Sequence, residues 1–358
     1  MCRDCMEIRY EKIPKLIDIS AAVVSEMETK AYTGKRIRQT PDVFVDGQEL
    51  ELGTDYLLSY ANNVNAGTDT AVLTVRGIGA YTGTLDVNFT IDKAAQSAFT
   101  ATPATSTLLV GKTAAITADG NVGAVTYASS DATVATVTSA GVVTAKKVGT
   151  AKITVTAAET DNYKKAAKAV TIKVVPGATA SLTAVSAATG VKLTWKKVTG
   201  ATGYKVYRGS TLVKKVANGS TSTVNFTDTA AKTNLAKYTY KIVPYAASGD
   251  STATPATVTT YFLTRGAMSS ATSTVTGRVT AKWVKNAKAT GYQVQYSLSS
   301  TFSSGNKAVT VKGAAAVSKV LTGLTSNKAY YVRVRAYRTV SGKNYYSEWS
   351  AAKKVIVK

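Results

Sequence analysis

A Trp–Tyr pair with the same spacing and the same residues before the Tyr occurs twice in this chain of 358 residues. Trp195 is followed nine residues later by Tyr204 within Ala-Thr-Gly-Tyr. Trp283 is followed nine residues later by Tyr292 within another Ala-Thr-Gly-Tyr, 88 residues further along the chain. A strand with a buried Trp, followed by a strand that opens on Tyr, is typical of a β-sandwich, and an offset of this size suits one small domain. The pattern predicts tandem β-sandwich modules.

Alternation of apolar and polar residues extends the strand prediction along the chain, and no segment has a convincing helical period. Leu85, Val87, Phe89 and Ile91 point to one face of a strand, with polar residues between them. Asp46-Gly47 predicts a hairpin turn. Towards the C-terminus, the alternation predicts these inward side chains: Tyr292, Val294, Tyr296, Tyr330, Val332, Val334 and Ala336.

Breaks in this alternation divide the chain into an irregular tail over 1–19 and four modules. The predicted modules cover 20–95, 105–176, 178–263 and 265–358. Residues 92–107 lose the pattern and are rich in Ala, Thr and Ser, which predicts a linker, and Pro176-Gly177 marks the next joint. The predicted fold class is all-β, with tandem Ig-like β-sandwich modules arranged as beads on a string.

Charge is segregated along the chain. Residues 1–95 hold 10 basic and 14 acidic side chains, whereas residues 264–358 hold 16 basic side chains and one acid, Glu348. Such a module attracts polyanions through a long-range field that salt weakens. A lysine-coated surface without a specific ligand is the commoner meaning of this bias.

Histidine is absent from the chain, which removes the usual general base, the His-containing triads and the commonest zinc ligand. Cys2 and Cys5 form a Cys-x-x-Cys in the tail, without the further ligands that zinc needs or the βαβ context of a redox motif. The sequence therefore predicts no enzyme activity, no catalytic residues, no metal site and no cofactor.

No apolar run of signal-peptide length occurs in residues 1–31, and no stretch is long enough to span a bilayer. We expect that the chain is the C-terminal part of a longer exported protein, or that its start is misplaced.

The last two modules resemble fibronectin type III domains of bacterial extracellular proteins. The residues that carry the resemblance are the two tryptophans, the two tyrosines that follow them, and Leu324 with Tyr330 six residues on, which matches the tyrosine corner of that family. Tyr238 opens the equivalent run in the third module. The resemblance implies a buried ring whose hydroxyl reaches a backbone partner.

Residues 105–176 resemble a group 2 bacterial Ig-like domain, and residues 32–91 are similar to a repeat in surface proteins of Gram-positive anaerobes. The Ig-like phrases are Leu109-Val110-Gly111, Tyr127-Ala-Ser-Ser-Asp131, Val134-Ala-Thr-Val137, Gly141-Val-Val143 and Gly149-Thr-Ala-Lys-Ile153. The repeat's markers are Tyr32-Thr-Gly34, Gly53-Thr-Asp-Tyr56, Ser59-Tyr-Ala-Asn-Asn63, Ala66-Gly67 and Tyr81-Thr-Gly83. These resemblances imply an extracellular or cell-surface protein without shared catalytic residues.

The candidate binding site is a stripe on the predicted solvent face of the fourth module, formed by Tyr331, Arg333, Arg335 and Tyr337. Arginines two residues apart on a strand stand side by side, so they could contact successive phosphates or carboxylates of a wall polymer. Strands also display Arg and Tyr to protect an open sheet, so an ordinary surface is the alternative.

The function predicted from these observations is a structural or spacer region that positions a partner domain or mediates adhesion. One alternative is a module that binds an anionic cell-wall polymer or acidic polysaccharide through the basic C-terminal domain. Another is an accessory region of an extracellular enzyme whose catalytic domain lies outside the chain. We expect a monomer, with no nucleic-acid partner and no membrane insertion.

Overall fold

The computed structural model describes residues 15–358, and every regular element in this range is a β-strand. Cys2, Cys5 and most of the predicted tail over 1–19 lie outside the described residues. Buried apolar side chains form four clusters, one in each of four successive sets of strands that we call units one to four. The predicted all-β fold is confirmed. Within 15–358 there is no helix long and apolar enough to cross a membrane.

Unit one contains two sheets and a separate parallel strand pair. Its strands are β1 (Ile17–Asp18), β2 (Val23–Val24), β3 (Lys30–Ala31), β4 (Val43–Val45), β5 (Gln48–Glu49), β6 (Tyr56–Ala61), β7 (Gly67–Gly77), β8 (Tyr81–Thr82) and β9 (Thr84–Asp92). The sheets are β3-β9-β7-β6 and β2-β4-β5, and β1 pairs with β8. Phe89 and Ile91 of β9 are buried, as predicted. The predicted hairpin turn is confirmed, since Asp46 and Gly47 join β4 to β5 with φ values of 47° and 83°.

Unit two is a sandwich of two four-stranded sheets, β10-β12-β15-β14 and β11-β17-β16-β13. Its strands are β10 (Thr100–Pro103), β11 (Thr107–Leu109), β12 (Thr113–Asp119), β13 (Val125–Ser129), β14 (Ala135–Val137), β15 (Val142–Ala145), β16 (Gly149–Ala157) and β17 (Ala166–Val175).

The linker predicted over 92–107 was wrong over residues 99–103. Strand β10 pairs with β12 along four residues, and Phe99 just before it is fully buried in the core of unit two. Both lie ahead of the predicted start of this module at 105. The strand escaped detection because Thr and Ala are nearly neutral in hydropathy, so their alternation gives almost no contrast between the two faces.

Unit three has a three-stranded sheet, β18-β19-β22, packed on a second sheet in which β20 lies between β21 and β23. Strands β24 and β25 both pair with β23. The strands are β18 (Thr183–Ala187), β19 (Gly190–Lys196), β20 (Gly203–Arg208), β21 (Thr211–Ala217), β22 (Thr223–Asp228), β23 (Lys237–Ala246), β24 (Gly249–Asp250) and β25 (Ala256–Tyr261).

Unit four repeats this strand order, with β26-β27-β30 in one sheet and β29-β28-β31 in the other, where β32 and β33 both pair with β31. Its strands are β26 (Met268–Thr272), β27 (Val279–Trp283), β28 (Gly291–Ser297), β29 (Lys307–Lys312), β30 (Ser318–Leu321), β31 (Ala329–Val340), β32 (Lys343–Tyr346) and β33 (Lys353–Ile356). The internal repeat read from the sequence is therefore a repeat of topology.

The repeated Trp–Tyr pair forms the same contact in both units. The Trp195 and Tyr204 ring centres are 5.3 Å apart, and those of Trp283 and Tyr292 are 5.4 Å apart. All four side chains are buried. Each tyrosine hydroxyl also accepts a hydrogen bond from the backbone N–H six residues before it, at 2.8 Å in unit three and 2.7 Å in unit four. The pair therefore links the core to the loop between two strands.

The corner tyrosines make the backbone contact that the fibronectin resemblance implies, although both rings are partly rather than fully buried. The Tyr330 hydroxyl accepts a hydrogen bond from the N–H of Thr325 at 3.4 Å, and the Tyr238 hydroxyl accepts one from the N–H of Thr233 at 3.3 Å. In each unit the donor lies five residues before the tyrosine. The ring thus fills the edge of the core while its polar end satisfies a backbone group of the preceding turn.

Candidate functional site

The predicted stripe lies on the outer face of β31. Val332, Val334 and Ala336 are fully buried, as the alternation predicts. The side chains between them therefore point to the opposite face of the sheet. Across the sheet, β28 places Gln295 opposite Arg333 and Gln293 opposite Arg335.

Both arginines are held by polar and aromatic neighbours. The Nε of Arg333 donates to Oε1 of Gln295 at 2.8 Å, and the Nε of Arg335 donates to Oε1 of Gln293 at 2.8 Å. Trp349 lies within cation–π distance of both guanidinium groups, with its ring centre 4.7 Å from Cζ of Arg333 and 4.4 Å from Cζ of Arg335. Such contacts contribute about 0.5–2 kcal/mol each.

Two further rings complete the stack. The Phe302 ring centre is 3.9 Å from Cζ of Arg333, and the Tyr346 ring centre is 3.9 Å from Cζ of Arg335. Each guanidinium thus contacts two aromatic rings. We call this set, Phe302, Arg333, Trp349, Arg335 and Tyr346, the arginine–aromatic ladder.

The ladder changes the interpretation of the stripe. Burial lowers the pKa of Arg333 and of Arg335, and both side chains are half-buried rather than free in solvent. A glutamine engages the Nε of each arginine, and aromatic rings lie against both guanidinium groups, which leaves less of each group open to a wall polymer. Their predicted role in binding stays a prediction, and the geometry favours a structural role for the two arginines.

The prediction that Tyr337 faces solvent was wrong, because this side chain is 5% exposed. Its ring lies over Gly291, where an added Cβ would come within 2.7 Å of the Tyr337 hydroxyl. The Tyr346 ring centre is 6.0 Å from that of Tyr337. A strand partner and a glycine that leaves room for the ring therefore bury Tyr337 on the outer face. Tyr331, between Ser297 and Lys354 in the sheet, is half-exposed.

Two serines hold Trp349 over this face. The Ser347 hydroxyl accepts from the N–H of Ala336 at 3.0 Å, while its own N–H donates to the Ala336 carbonyl at 2.9 Å. Ser350 makes the same pair of bonds with Val334, at 3.0 and 2.8 Å. Residues 347–350 do not form a strand, and these bonds join them to β31 in place of regular strand pairing. This segment was not predicted from the sequence, although Tyr-Ser-Glu-Trp-Ser at 346–350 places a large aromatic residue next to serine.

A groove of about 510 Å³ runs between units three and four beside the ladder. Its lining comprises Leu182, Thr183, Ala184, Val185, Ser186, Val258, Thr259, Thr260, Arg335, Lys343, Asn344, Tyr345, Tyr346, Ser347, Glu348 and Trp349. Glu348 supplies the one carboxylate in this lining, and its Oε2 is buried without a hydrogen-bond partner. Glycoside hydrolysis needs two carboxyl groups across a cleft, so the groove lacks that arrangement.

No cluster of three or more His, Cys, Asp or Glu side chains suited to a metal ion occurs within residues 15–358.

Asp228 in unit three is a buried carboxylate, 2% exposed, that the sequence did not single out as structural. Its Oδ2 accepts from Nη1 of Arg208 at 2.8 Å and from the Tyr240 hydroxyl at 3.0 Å. Its Oδ1 accepts from the N–H of Ala230 at 3.2 Å. We call Arg208, Asp228 and Tyr240 the buried polar triad. Because every partner belongs to unit three, the triad is part of its interior and not a ligand site.

Comparison with known proteins identifies one domain family. Residues 95–170 match the model of the bacterial Ig-like domain (group 2). This confirms the resemblance predicted for the second module, and the match begins early enough to include β10. No curated protein matches the chain.

Among solved structures, the chicken CNTN1 FN1-FN3 domains share 14% sequence identity with the chain at a TM-score of 0.33. The alignment covers 72% of this chain and 100% of that chain. At this TM-score the likeness carries no argument about function. The strand order of units three and four itself gives the sandwich architecture that fibronectin type III domains share. The similarity predicted for residues 32–91 stays a prediction.

Proposed function

We propose that the chain is a non-catalytic spacer region of a bacterial cell-surface or secreted protein, which holds a partner domain at a fixed position. The group 2 bacterial Ig-like match supports a structural or adhesive extracellular role. The observation that carries the proposal is the way in which successive units meet. Side chains and backbone groups at each junction are hydrogen-bonded or buried, so little free linker separates the units.

The first junction is built around the loop that contains Asn162. The N–H of Ala66 donates to Oδ1 of Asn162 at 2.8 Å, and Nδ2 of Asn162 donates to Oδ1 of Asn65 at 3.2 Å. The rings of Tyr32 and Tyr163 meet edge to face with centres 5.4 Å apart. One loop of unit two therefore holds unit one through both polar and aromatic contacts.

The second junction uses a turn of unit three. The Ser248 hydroxyl donates to the carbonyl of Val174 at 2.7 Å, and Ser248 is only 9% exposed. Beside it, Gly200 packs so closely against Val148 that an added Cβ would lie 2.5 Å from that side chain. The last strand of unit two is thereby fixed against unit three.

The third junction is continuous with both neighbouring cores. Phe262 is buried in the core of unit three and Leu263 in the core of unit four. The Ser186 hydroxyl accepts from the N–H of Leu263 at 2.9 Å and donates to the carbonyl of Tyr261 at 3.2 Å. The rings of Tyr261 and Tyr345 are 5.0 Å apart. Domains in one chain move relative to each other by default, and contacts of this kind oppose that motion.

The proposal is tested by the distance between spin labels on either side of the first junction. Cys2 and Cys5 are replaced by Ser, and Thr84→Cys and Lys112→Cys supply exposed labelling sites in units one and two. We expect one narrow distance distribution. Asn162→Ala should broaden it, whereas Asp161→Ala, at an exposed neighbouring position, should leave it narrow. A broad distribution before either alanine substitution would overturn the rigid-spacer function.

A second role, adhesion to an anionic wall polymer through unit four, is supported by uncompensated charge. Residues 264–358 carry 16 basic side chains and one acid. The ion pairs found within residues 15–358 all lie in units one to three or between them. Retention of the full chain on purified cell walls, lost as salt is raised, is the expected result, and no retention at low salt would end this idea. An accessory role beside a catalytic domain is the same spacer function with an enzyme as partner.

A further inference from the structure

The parallel strand pairs of this protein all lie in units one and two. In unit two, β11 runs parallel to β17, the last strand of that unit. In unit one, β3 runs parallel to β9, again the last strand, and β1 runs parallel to β8. Every strand pair of units three and four is antiparallel. A backbone link between an early strand and the last strand therefore distinguishes the first two units from the last two.

The link in unit two lies over the core. Residues 107–109 pair with residues 173–175. At the centre of this pairing, Leu108 is opposite Val174, and both side chains are buried. A hydrogen bond is stronger in such a low-dielectric interior than in water. The pairing is therefore anchored by packing as well as by its backbone bonds.

Short backbone hydrogen bonds complete both links. The N–H of Lys173 donates to the carbonyl of Ser106 at 2.8 Å in unit two. In unit one, the N–H of Tyr32 donates to the carbonyl of Asp92 at 2.7 Å, just past the β3–β9 pairing. Each link thus joins a segment near the start of a unit to the segment that leaves it.

The chain between units one and two is tied in the same direction. Ala94 forms a parallel bridge with Tyr163. Its N–H donates to the carbonyl of Asn162 at 2.9 Å, and its carbonyl accepts from the N–H of Lys164 at 2.8 Å. The chain is therefore held against unit two before it reaches the first strand of that unit.

Tension along the chain loads the β11–β17 pairing in shear. The two strands run in the same direction, so force from the N-terminal side pulls β11 backwards along its axis while force from the C-terminal side pulls β17 forwards. The evenly spaced bonds between them are then loaded together and must break together. The chain enters unit two through β10, which belongs to the opposite sheet, so release of β10 leaves this pairing intact.

Tension acts differently on units three and four. Their first and last strands, β18 and β25 in one unit and β26 and β33 in the other, belong to different sheets. The chain enters each unit at the open end of an antiparallel pairing, β18–β19 or β26–β27, whose residue pairs open one after another from that end. In unit three, the Ser186 hydroxyl joins β18 to the end of β25 through bonds with Leu263 and Tyr261. A side-chain link of this kind replaces a backbone ladder.

We propose that the chain carries tension, and that units one and two are its load-bearing units because their last strands are held in shear. Units three and four open first and lengthen the chain while units one and two stay folded. This rests on the proposed spacer function and adds a mechanical role to it. At equal force, unit two should unfold on the order of 100-fold more slowly than unit three, since three residue pairs break together and each contributes about fivefold.

Optical tweezers measure the order in which the units of the full chain unfold when it is held by its two ends, because forced unfolding follows the unfolding rate. Cys2 and Cys5 are replaced by Ser. Thr107→Cys/Lys173→Cys then marks unit two, because oxidation across this pairing shortens its unfolding step by about 220 Å, the extended length of the enclosed segment.

Unit three is marked in the same way by Thr194→Cys/Asn225→Cys, at facing positions of β19 and β22, where oxidation removes about 100 Å. With the cross-links reduced, the step of unit three should be the first or second of the four, and that of unit two the third or last. Unfolding of unit two before unit three, or at the same force, would overturn the proposal.

A second direction of pulling separates shear from general stability. Lys147→Cys and Ala178→Cys place handles at exposed positions just before β16 and just after β17. Force between these handles opens the β16–β17 pairing one residue pair at a time from its free end. Unit two should then unfold about 100-fold faster at equal force than when the chain is held by its ends, since the bonds are no longer loaded together.

The same unfolding rate in both directions would show that unit two is merely stable, and the load-bearing role would fall. Neither result changes the distances between spin labels across the first junction, so the rigid spacer would still stand. A broad distribution of those distances, by contrast, overturns the spacer function whatever the order of unfolding.

Discussion

Replacement of Asp228 by alanine should destabilise unit three strongly, because it removes the centre of the buried polar triad. The carboxylate is 2% exposed and accepts hydrogen bonds from Arg208 and Tyr240 at 2.8 and 3.0 Å. Asp228→Ala leaves a guanidinium and a buried hydroxyl without their acceptor. Removing one partner of a buried ion pair costs about 3–5 kcal/mol. The Arg208 side chain is 32% exposed and can turn to water, so we expect about 3 kcal/mol.

Unit four shows what replaces the triad in the same architecture. The register that places Asp228 opposite Val191 places Leu321 opposite Val279. Likewise, Arg208 pairs with Tyr240 in unit three, and at the equivalent positions of unit four Tyr296 pairs with Val332. The positions of the triad thus hold Tyr, Leu and Val in unit four. Since apolar sets can replace buried ionic groups without loss of stability, Arg208→Tyr/Asp228→Leu/Tyr240→Val should recover most of the stability that Asp228→Ala loses.

Hydrogen exchange during urea unfolding of the full chain, followed in peptides from β19, β20 and β22, reports the stability of unit three by itself. Asp250→Ala is the matched control, because its ion pair with Lys205 at 2.5 Å is partly exposed and should contribute less than about 1 kcal/mol. The reasoning is refuted if Asp228→Ala destabilises unit three no more than Asp250→Ala does. It is also refuted if the triple variant is less stable than Asp228→Ala.

Two further predictions concern the stability of unit three and of unit four. Burial is the main cause that raises the pKa of Tyr240 and of Tyr204 above the ordinary tyrosine value. The folded state therefore holds these protons more tightly than the unfolded chain, whose tyrosines titrate near pH 10. The stability of unit three should be intact below about pH 10 and fall above it, by about 1.4 kcal/mol per pH unit for each tyrosine. Urea unfolding across this range should show a shallower fall for Tyr240→Phe, and an unchanged slope would contradict the assignment. Trp349→Ala removes two cation–π contacts from the ladder and should destabilise unit four by about 2 kcal/mol. Faster hydrogen exchange at Val334 and Ala336 checks this, and unchanged exchange at both amides would show that the ladder does not hold the segment in place.

The sequence predicted the parts of this fold that are marked by a contrast in size or hydropathy between neighbouring residues. Trp195 and Tyr204 could be paired from the sequence because large aromatics recur at a fixed spacing in both units. The inward set of β31 could be read from strict alternation, since Val334 stands between two arginines and Val332 between Tyr331 and Arg333. Strand β10 could not, because its Thr and Ala residues differ too little in hydropathy to mark one face.

The candidate site was harder to predict because it depends on contacts between distant segments. The sequence shows that Arg333 and Tyr337 leave the core face, but not that residues 346–350 return to cover them. Burial of Tyr337 also requires Gly291 on the neighbouring strand.

Small-angle X-ray scattering of the full chain tests most directly whether its units form one continuous body. If the three junctions are fixed, a single arrangement of units one to four reproduces the whole scattering profile, and raising the salt concentration leaves it unchanged. A profile that only a broad mixture of arrangements can fit would contradict the account.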